Sequence, residues 1–330
     1  MDPTYRDMLA DVADMYYLQD KTQSEIAETL GLSRVKIYRL LKEAREAGVV
    51  EITIHRFRAR NDRLECELRE RFGLADALVL DTRGLEEIET WRGIGEITAR
   101  HIEARLRDNS TIAVCLGRTT YEVVRAFRPG LHNNVRVAQA LGSIPFATQD
   151  MDSGTLARQL AAKLGGEVLY LPSPMIADNA EAAGVLRRQP AIERTLAAAR
   201  EADLALLGIG NFDPERSSLI AAAALSPELQ ARLLADGAVG DIAGQMFTQE
   251  GQPHPHELGE RIIGLTLEEL RHIPTVVAVA MGAAKATAIL GALRTGVVNV
   301  LSTDDEAASE ILRMDEARSP GRRCRDNTIR

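Results

Sequence analysis

Cysteine is scarce in this chain of 330 residues, which contains only Cys66, Cys115 and Cys324. The three lie far apart and none of them forms a C-x-x-C pair, so the sequence indicates neither a zinc ribbon nor a disulfide framework. A small, dispersed set of thiols is compatible with a reducing cytosol. We therefore expect no resident metal or other cofactor.

Long apolar runs are also lacking. No stretch reaches the roughly 20 apolar residues that a membrane-spanning helix requires. The N-terminal segment, MDPTYRDMLADVADMYY, is acidic and does not show the charged-then-apolar pattern of a signal peptide. We therefore expect a soluble cytoplasmic protein that has no membrane partner.

The sequence contains neither a Walker A loop nor a G-x-G-x-x-G fingerprint, so nucleotides are not favoured as ligands. The formal net charge of −8 argues against a protein that coats nucleic acid indiscriminately. A small basic surface on an acidic body could still read DNA, because DNA binding depends on the electrostatic potential of the surface that contacts it. The length and the 45% of hydrophobic residues predict a small domain followed by a large one.

The most specific stretch covers residues 22–50, TQSEIAETLGLSRVKIYRLLKEAREAGVV. Its first part predicts a short helix with one apolar face made of Ile26, Ala27 and Leu30. Thr22 and Glu25 have the spacing of a capping box at the start of that helix. Gly31 is predicted to end the helix, and Leu32 to follow it as a buried plug.

A second helix begins after Ser33, whose side chain is suited to cap it. Its predicted inner stripe consists of Ile37, Leu40, Leu41 and Ala44. Basic and hydrogen-bonding residues lie mainly outside that stripe, as in a helix that enters the major groove of DNA. The residues predicted to bind DNA are Gln23, Ser33, Arg34, Lys36, Tyr38 and Arg39. The alternative is an ordinary helical hairpin with a solvated basic face.

Flanking segments complete a predicted winged helix-turn-helix domain over residues 1–55. An amphipathic helix over residues 5–18 precedes the two helices. After Gly48, the alternation of Val50, Ile52 and Ile54 with polar residues predicts a strand, which would belong to the wing. Residues 55–62, HRFRARND, are predicted to be a linker. A helix over residues 64–72 could pack on a partner subunit or on its own domain.

From Asp76 onward, short apolar runs alternate with helical patterns, which predicts an α/β domain with a doubly wound, Rossmann-like parallel sheet over residues 56–318. The predicted strands are 77–80, 111–116, 135–141, 168–171, 204–209, 276–280 and 297–301. The predicted helices are 88–106, 121–127, 155–164, 192–202, 227–236, 283–294 and 304–314. The polar, basic residues 319–330 predict a disordered tail.

Ligands of open α/β sheets bind at the carboxyl ends of the strands. Five loops there are candidates, with Gly117, Arg118, Thr119 and Thr120 in the first, Gly142 and Ser143 in the second, Gly208 and Gly210 in the third, Asp241 in the fourth, and Gly282 and Lys285 in the fifth. Hydroxyls, helix-terminal amides and a lysine in a first helical turn suit a phosphate. Taken singly, a glycine at such a turn is more often structural than functional.

The sequence resembles the SorC family of bacterial transcriptional regulators over nearly its whole length. Residues 22–52 look like the DNA-binding domain of that family. The segments LPSPMIAD, GIGNF, GAVGDIAGQMF and VAVAMGAAKATAILGALRTGVVNVLSTDDEAA look like its effector domain. That domain is similar to sugar-phosphate isomerases and deaminases, and it usually binds phosphorylated sugars.

The resemblance implies that Gly117, Thr119, Thr120 and Lys285 hold a phosphate and that Asp241 faces sugar hydroxyls. It also implies a homotetramer whose operator affinity changes on effector binding. Three loops depart from the family pattern, because Cys115-Leu116, Gly142-Ser143 and Met281-Gly282 stand where the family often has GW, GG and GG. Each departure adds a side chain where a backbone would lie close to the ligand. The pocket is therefore expected to be smaller or differently shaped, and a polyol or its phosphate is an alternative effector.

The leading hypothesis is a DNA-binding regulator of carbohydrate or polyol catabolism, a repressor that responds to a sugar, polyol or sugar phosphate. The alternative is a sugar-phosphate isomerase or deaminase fused to a DNA-binding head, with Asp241 as a base and Lys285 as its electrostatic partner. We expect no enzyme, because the sequence places no histidine or second carboxylate beside these two. His254 and His256 could suggest a metal, but no third ligand is in view.

Overall fold

The computed structural model describes residues 3–50, 58–144, 151–213, 217 and 226–318. These residues form two compact units that divide ahead of Arg58. The predicted wing strand falls largely on residues 51–57 and the predicted tail on residues 319–330, so both lie outside the described residues. Within the described ranges, no helix is long and apolar enough to cross a membrane.

The described residues of the first unit form three helices, α1 (Pro3–Tyr17), α2 (Gln23–Leu30) and α3 (Arg34–Glu46). They share a small core in which the largest fully buried side chains are Leu9, Ile26, Ile37 and Leu40. Both predicted caps are confirmed. The Thr22 side chain accepts the Glu25 amide while the Glu25 carboxylate accepts the Thr22 amide, and the Ser33 hydroxyl accepts the Lys36 amide.

The turn between α2 and α3 differs from the prediction in one respect. Gly31 ends α2 in the left-handed region, with φ of 66°, as expected. Leu32, however, is 37% exposed and is not a buried plug, and Leu30 is equally exposed. The Leu32 amide donates to the Ala27 carbonyl, so its backbone closes the turn while its side chain points outward. The core of the unit is already filled from α2 by Ile26 and Ala27.

The second unit is built on strands and helices that alternate along the chain. Its strands are β1 (Asp76–Leu80), β2 (Thr111–Val114), β3 (Arg136–Gln139), β4 (Val168–Leu169), β5 (Leu204–Gly208), β6 (Ala238–Ile242), β7 (Gln245–Thr248), β8 (Thr275–Val279) and β9 (Val300–Asp304). Its described helices are α4 (Asp62–Phe72), α5 (Glu87–Glu103), α6 (Arg118–Ala126), α7 (Ser153–Lys163), α8 (Ala180–Arg187), α9 (Pro190–Arg200), α10 (Pro227–Ala235), α11 (Glu257–Arg261), α12 (Leu267–Arg271), α13 (Ala286–Arg294) and α14 (Asp305–Arg318).

Seven of these strands form one parallel sheet in the order β1-β9-β8-β5-β2-β3-β4. Side chains from opposite faces of the strands enter two separate cores. One core contains Leu64 of α4 and Leu196 of α9, and the other contains Ile102 of α5 and Leu160 of α7. The sheet is thus covered by helices on both sides, which explains its uniformly apolar central strands. The predicted doubly wound α/β fold is confirmed.

Several elements of this unit differ from the prediction. The last strand is β9 and not residues 297–301, because Gly296, with φ of 71°, and the residues after it still belong to the turn that follows α13. The segment around Asp241 is an antiparallel hairpin, β6–β7, outside the main sheet, where a strand-end loop was predicted. The short helices α8, α11 and α12 were not predicted.

The predicted linker is partly structured. Its described residues form a strap along β1, which consists of residues 58–61. The Asn61 amide donates to the Val79 carbonyl at 2.8 Å, and the Asp81 amide donates to the Ala59 carbonyl at 3.0 Å. The Arg58 guanidinium pairs with Glu96 of α5 at 3.0 Å, and both side chains are largely buried.

Candidate functional site

The order of the described strands has a topological switch point between β2 and β5. From β2 the chain continues to β3 and β4 on one side, while from β5 it continues to β8 and β9 on the other. The loops that leave β2 and β5 therefore diverge and open a crevice at the carboxyl ends of the strands, where α/β sheets bind ligands. Four of the five predicted loops follow β2, β3, β5 and β8, so they lie along this edge.

The loop after β2 enters α6 through Gly117, whose φ of 142° is accessible to glycine. The two following threonines differ in role. The Thr119 hydroxyl donates to the Val279 carbonyl of β8 at 2.9 Å, so it ties this loop to a neighbouring part of the sheet. The Thr120 hydroxyl is fully buried and has no hydrogen-bond partner among the described residues.

Gly208 allows both threonines to lie against the end of β5. A β-carbon at this position would be 3.3 Å from the Thr119 hydroxyl oxygen and 3.9 Å from that of Thr120. The structure thus brings together Gly117, Thr119, Thr120 and Gly208, which the sequence placed in two separate loops.

Asp241 reaches the same edge from the β6–β7 hairpin. Its main chain exchanges two hydrogen bonds with Gly210, of 2.9 and 3.2 Å, which hold the hairpin against the loop after β5. A β-carbon on Gly210 would lie only 2.0 Å from Asp241 Oδ1. This close approach explains why a glycine is required there. Asp241 Oδ2 accepts the Gly244 amide at 3.1 Å, whereas Oδ1 is buried without a partner among the described residues.

Burial raises the pKa of the Asp241 carboxyl from 3.8 to about 6, against the opposing effects of the Gly244 amide and the Lys285 ammonium. The charged form is therefore disfavoured in the native protein. Burial, together with the charge of Asp241, also raises the pKa of the nearby Cys115 thiol to about 12. That thiol is consequently protonated at neutral pH and is no thiolate nucleophile.

We expect the buried charge of Asp241 to destabilise the free protein above pH 6. The native carboxyl binds its proton more tightly than the unfolded chain does, so the free energy of unfolding should fall as the pH rises from about 4 to about 6. Asp241→Asn removes this dependence. Urea unfolding between pH 4 and pH 8 should show that the stability of the variant relative to wild type increases by roughly 2 kcal/mol over that window.

The matched control for this prediction is Asp178→Asn, which changes an exposed carboxylate of the same unit. The same urea unfolding series with this variant separates the loss of the buried carboxyl from the loss of a surface charge. A pH-independent difference for Asp241→Asn would contradict the raised pKa.

Lys285 closes the crevice from the β8 side. It ends a 3-10 turn, Ala283–Lys285, and directly precedes α13, as predicted for a residue in the first helical turn. Its ammonium donates to the Ile209 carbonyl at 2.7 Å, so the cation lies beside the end of β5. At the start of the same turn Gly282 has φ of 88°, and its amide donates to the carboxylate of Asp304.

Asp304 is a residue of this region that the sequence analysis missed. Its buried carboxylate accepts the Gly282 amide and, at 2.7 Å, the Ala307 amide at the start of α14. Burial raises its pKa. An aspartate between a strand and a helix could have been recognised as a cap, but its contact with the Gly282 turn depends on the pairing of β8 with β9, which the sequence does not reveal.

Three other predicted residues make contacts with neighbouring parts of the second unit. Gly142 and Ser143 follow β3, where a β-carbon on Gly142 would be 2.4 Å from the Pro174 carbonyl oxygen. The Ser143 hydroxyl accepts the Gln139 amide group at 3.2 Å. Arg118 is exposed and stacks its guanidinium on the Trp91 ring at 4.9 Å. The structure therefore assigns visible packing roles to these three residues.

The residues predicted to bind DNA lie on the first unit. Arg34, Lys36, Tyr38 and Arg39 are exposed on α3, and Ser33 caps that helix. Gln23 at the start of α2 and Arg34 both line an open groove of about 680 Å³, together with Tyr17 at the end of α1. Gln23 and Arg34 thus place the N-terminal ends of α2 and α3 on the same groove.

The two histidines near α11 have local roles. His256 caps α11, because its Nδ1 accepts the Leu258 amide at 3.0 Å. The ring of His254 stacks on that of His256, with centroids 6.4 Å apart. The described residues contain no group of three or more His, Cys, Asp or Glu side chains that could hold a metal ion.

Comparisons with known proteins agree with this architecture. The family model Sugar-bind, described as "Putative sugar-binding domain", matches residues 58–313. The transcriptional regulator LsrR of Enterobacter sp. (strain 638) is 33% identical over 313 residues, which cover 94% of each chain. The deoxyribonucleoside regulator of Bacillus subtilis (strain 168) is 28% identical over 94% of this chain and 99% of its own.

A solved structure is similar over both units. The crystal structure of the full-length sorbitol operon regulator SorC from Klebsiella pneumoniae matches with a TM-score of 0.71 and 28% identity, and the match covers 94% of this chain and 99% of that one. The chain therefore belongs to the SorC family of transcriptional regulators and contains the sugar-binding domain of that family.

Proposed function

We propose that this chain is a DNA-binding transcriptional regulator whose operator affinity is controlled by a sugar, polyol or sugar phosphate bound in the crevice between β2 and β5. The observation that carries the proposal is the convergence of Asp241, Gly210 and Lys285 at the switch point of the sheet, in a chain that also contains a separate three-helix unit. We assign operator binding to that unit and effector binding to the sheet.

The chemistry of the crevice supports a polyhydroxylated effector. Asp241 Oδ1 is a buried acceptor that needs a donor, and ligand hydroxyls are donors. The same carboxylate would repel an anion. The Lys285 ammonium and the amides that begin α6 and α13 suit an anionic group such as a phosphate. We therefore assign hydroxyls to Asp241 and a phosphate, when the effector has one, to the Lys285 side.

Lys285→Ala should weaken effector binding by roughly 30- to 150-fold, because a charge-assisted contact is worth about 2–3 kcal/mol. The effector is first identified by a thermal-shift screen of sugars, polyols and their phosphates, since a ligand of the native state raises the melting temperature. Calorimetric titration with the hit and with its dephosphorylated form then measures the loss.

The matched variant is Asp241→Ala, which should impair the phosphorylated and dephosphorylated forms alike. Both variants should retain wild-type operator affinity in gel-shift titrations, and their complexes should need a higher effector concentration to respond, in proportion to the lost effector affinity. Equal binding of both forms by wild type, with no loss in Lys285→Ala, would remove the phosphate site from the proposal.

We infer that the chain is not an isomerase or deaminase. The relatives compared above are named as regulators, and the Cys115 thiol in the crevice is protonated at neutral pH, without a described histidine beside it or Asp241. Incubation of the protein with the effector and analysis for products provides the direct measurement.

Assembly and DNA contacts complete the proposal. We propose a cytoplasmic homo-oligomer, a tetramer as the family resemblance implies, because a symmetric pair of three-helix units could read two half-sites. We assign base and phosphate contacts to Gln23, Ser33, Arg34, Lys36, Tyr38 and Arg39, and repression to the complex that they form.

A further inference from the structure

Val35 is an apolar side chain in an unexpected place. It is the second residue of α3 and is 61% exposed, whereas Ile37 and Leu40 of the same helix are fully buried. A β-branched residue is also a weaker helix former than alanine, so local helix stability does not account for it. Val35 therefore contributes little to the folding of the first unit.

The surroundings of Val35 are cationic. Arg34 and Lys36 flank it in the chain, and Arg39 follows one helical turn later on the same face. In the described part of the chain, none of these three cations is in an ion pair with a carboxylate. The face thus combines uncompensated positive charge with one branched apolar group, and it fits a partner that is anionic overall but apolar at one point.

Duplex DNA has this combination in the major groove. Phosphates supply the negative charge, and the 5-methyl group of thymine is the apolar feature that the base edges present there. Residues near the N-terminal end of a recognition helix are the ones that approach base edges. We propose that Val35 contacts the 5-methyl group of a thymine and so contributes to sequence specificity. The inference rests on the proposed function and names a base-reading residue for it.

A second copy of the same face is a poorer partner. Symmetric pairing of this surface would bring Arg34, Lys36 and Arg39 of one copy towards the same cations of the other, and like charges repel. The apolar group alone is too small to offset that repulsion. The charge of the face therefore favours DNA over self-association.

The test uses the full-length wild-type chain to enrich binding sites from random DNA duplexes. In the enriched duplex each thymine is then replaced, one at a time, by uracil, which lacks only the 5-methyl group. Fluorescence anisotropy measures the dissociation constants for wild type and Val35→Ala. At one position per half-site, we expect uracil to weaken wild-type binding about 3- to 5-fold, as for one buried methyl group. Val35→Ala should bind both duplexes equally.

Two controls isolate the contact. Val35→Thr retains a branched methyl group and should retain the preference for thymine over uracil. Lys42→Ala, which changes an exposed cation further along α3, should weaken both duplexes by the same factor. Val35→Ala should remain folded, since alanine favours the helix, and circular dichroism checks this.

Three outcomes would overturn the inference. The first is that Val35→Ala binds the thymine duplex in preference to the uracil duplex as strongly as wild type does. The second is that no uracil replacement in the enriched site weakens wild-type binding. Either result would leave the proposed regulatory function intact. The third is wild-type protein that enriches no sequence, which contradicts the proposed DNA-binding function itself.

Discussion

Gly210→Ala should abolish effector binding while operator affinity stays at the wild-type level. The added β-carbon would lie 2.0 Å from Asp241 Oδ1 and 2.9 Å from its Cγ, far inside van der Waals contact. The two backbones exchange hydrogen bonds and cannot separate without losing them. The Asp241 side chain must therefore rotate away, and the effector would lose the hydroxyl acceptor that we propose for it. We expect calorimetric titration to show no saturable binding, a loss of more than about 3 kcal/mol.

The matched control is Gly184→Ala in α8. There the nearest atom to an added β-carbon is the end of the flexible Arg188 side chain, at 3.4 Å, so the helix should gain stability without affecting the effector. Thermal unfolding of both variants separates a local change from a general loss of structure. Wild-type effector affinity in a folded Gly210→Ala protein would contradict the role assigned to Asp241.

The double variant Lys36→Ala/Arg39→Ala should weaken operator binding about 1000-fold. Each side chain is exposed on α3, and a base or phosphate contact from a single cation is worth roughly 1–3 kcal/mol. Losing a phosphate contact should also lower the dependence of affinity on salt by about one unit in the logarithmic slope. Gel-shift titrations at several salt concentrations measure both effects, and effector affinity should be unchanged.

Arg45→Ala is the control for this second result. Arg45 is an exposed cation in the last turn of α3, remote from the N-terminal residues that approach base edges. Its removal should change operator affinity only slightly. If Arg45→Ala were as damaging as the double variant, the effect would be one of net charge, and α3 would not be the reading helix.

Local sequence signals predicted much of both units. The caps at Thr22 and Ser33 and the turn at Gly31 follow from backbone chemistry within a few residues, so they could be recognised directly. The apolar strands of the main sheet were also recognisable, since a strand buried on both faces lacks alternation. The exposure of Leu32 was not recognisable from the sequence, because it depends on how completely other side chains fill a small core.

Individual residues of the candidate site could be named from the sequence, but the contacts between them could not be predicted. Asp241 and Gly210 are 31 positions apart, and only the structure shows that their backbones are hydrogen-bonded. The Thr119 hydroxyl, which was predicted to hold a phosphate, donates to the Val279 carbonyl of another strand, and no local pattern indicated that contact. Such contacts depend on strand order and register, which no local pattern in the sequence encodes.

The strap along β1 determines where the chain could be cut and joined to a different DNA-binding unit. Arg58 and Arg60 are anchored by Glu96 and Glu65, and the strap backbone is hydrogen-bonded to Val79 and Asp81. A chimaera that joins a foreign DNA-binding head downstream of the strap would leave the partly buried Glu96 without its cation and the edge of β1 uncovered. A junction upstream of Arg58 keeps these contacts, so it is the point at which this sensor could be transferred to another promoter.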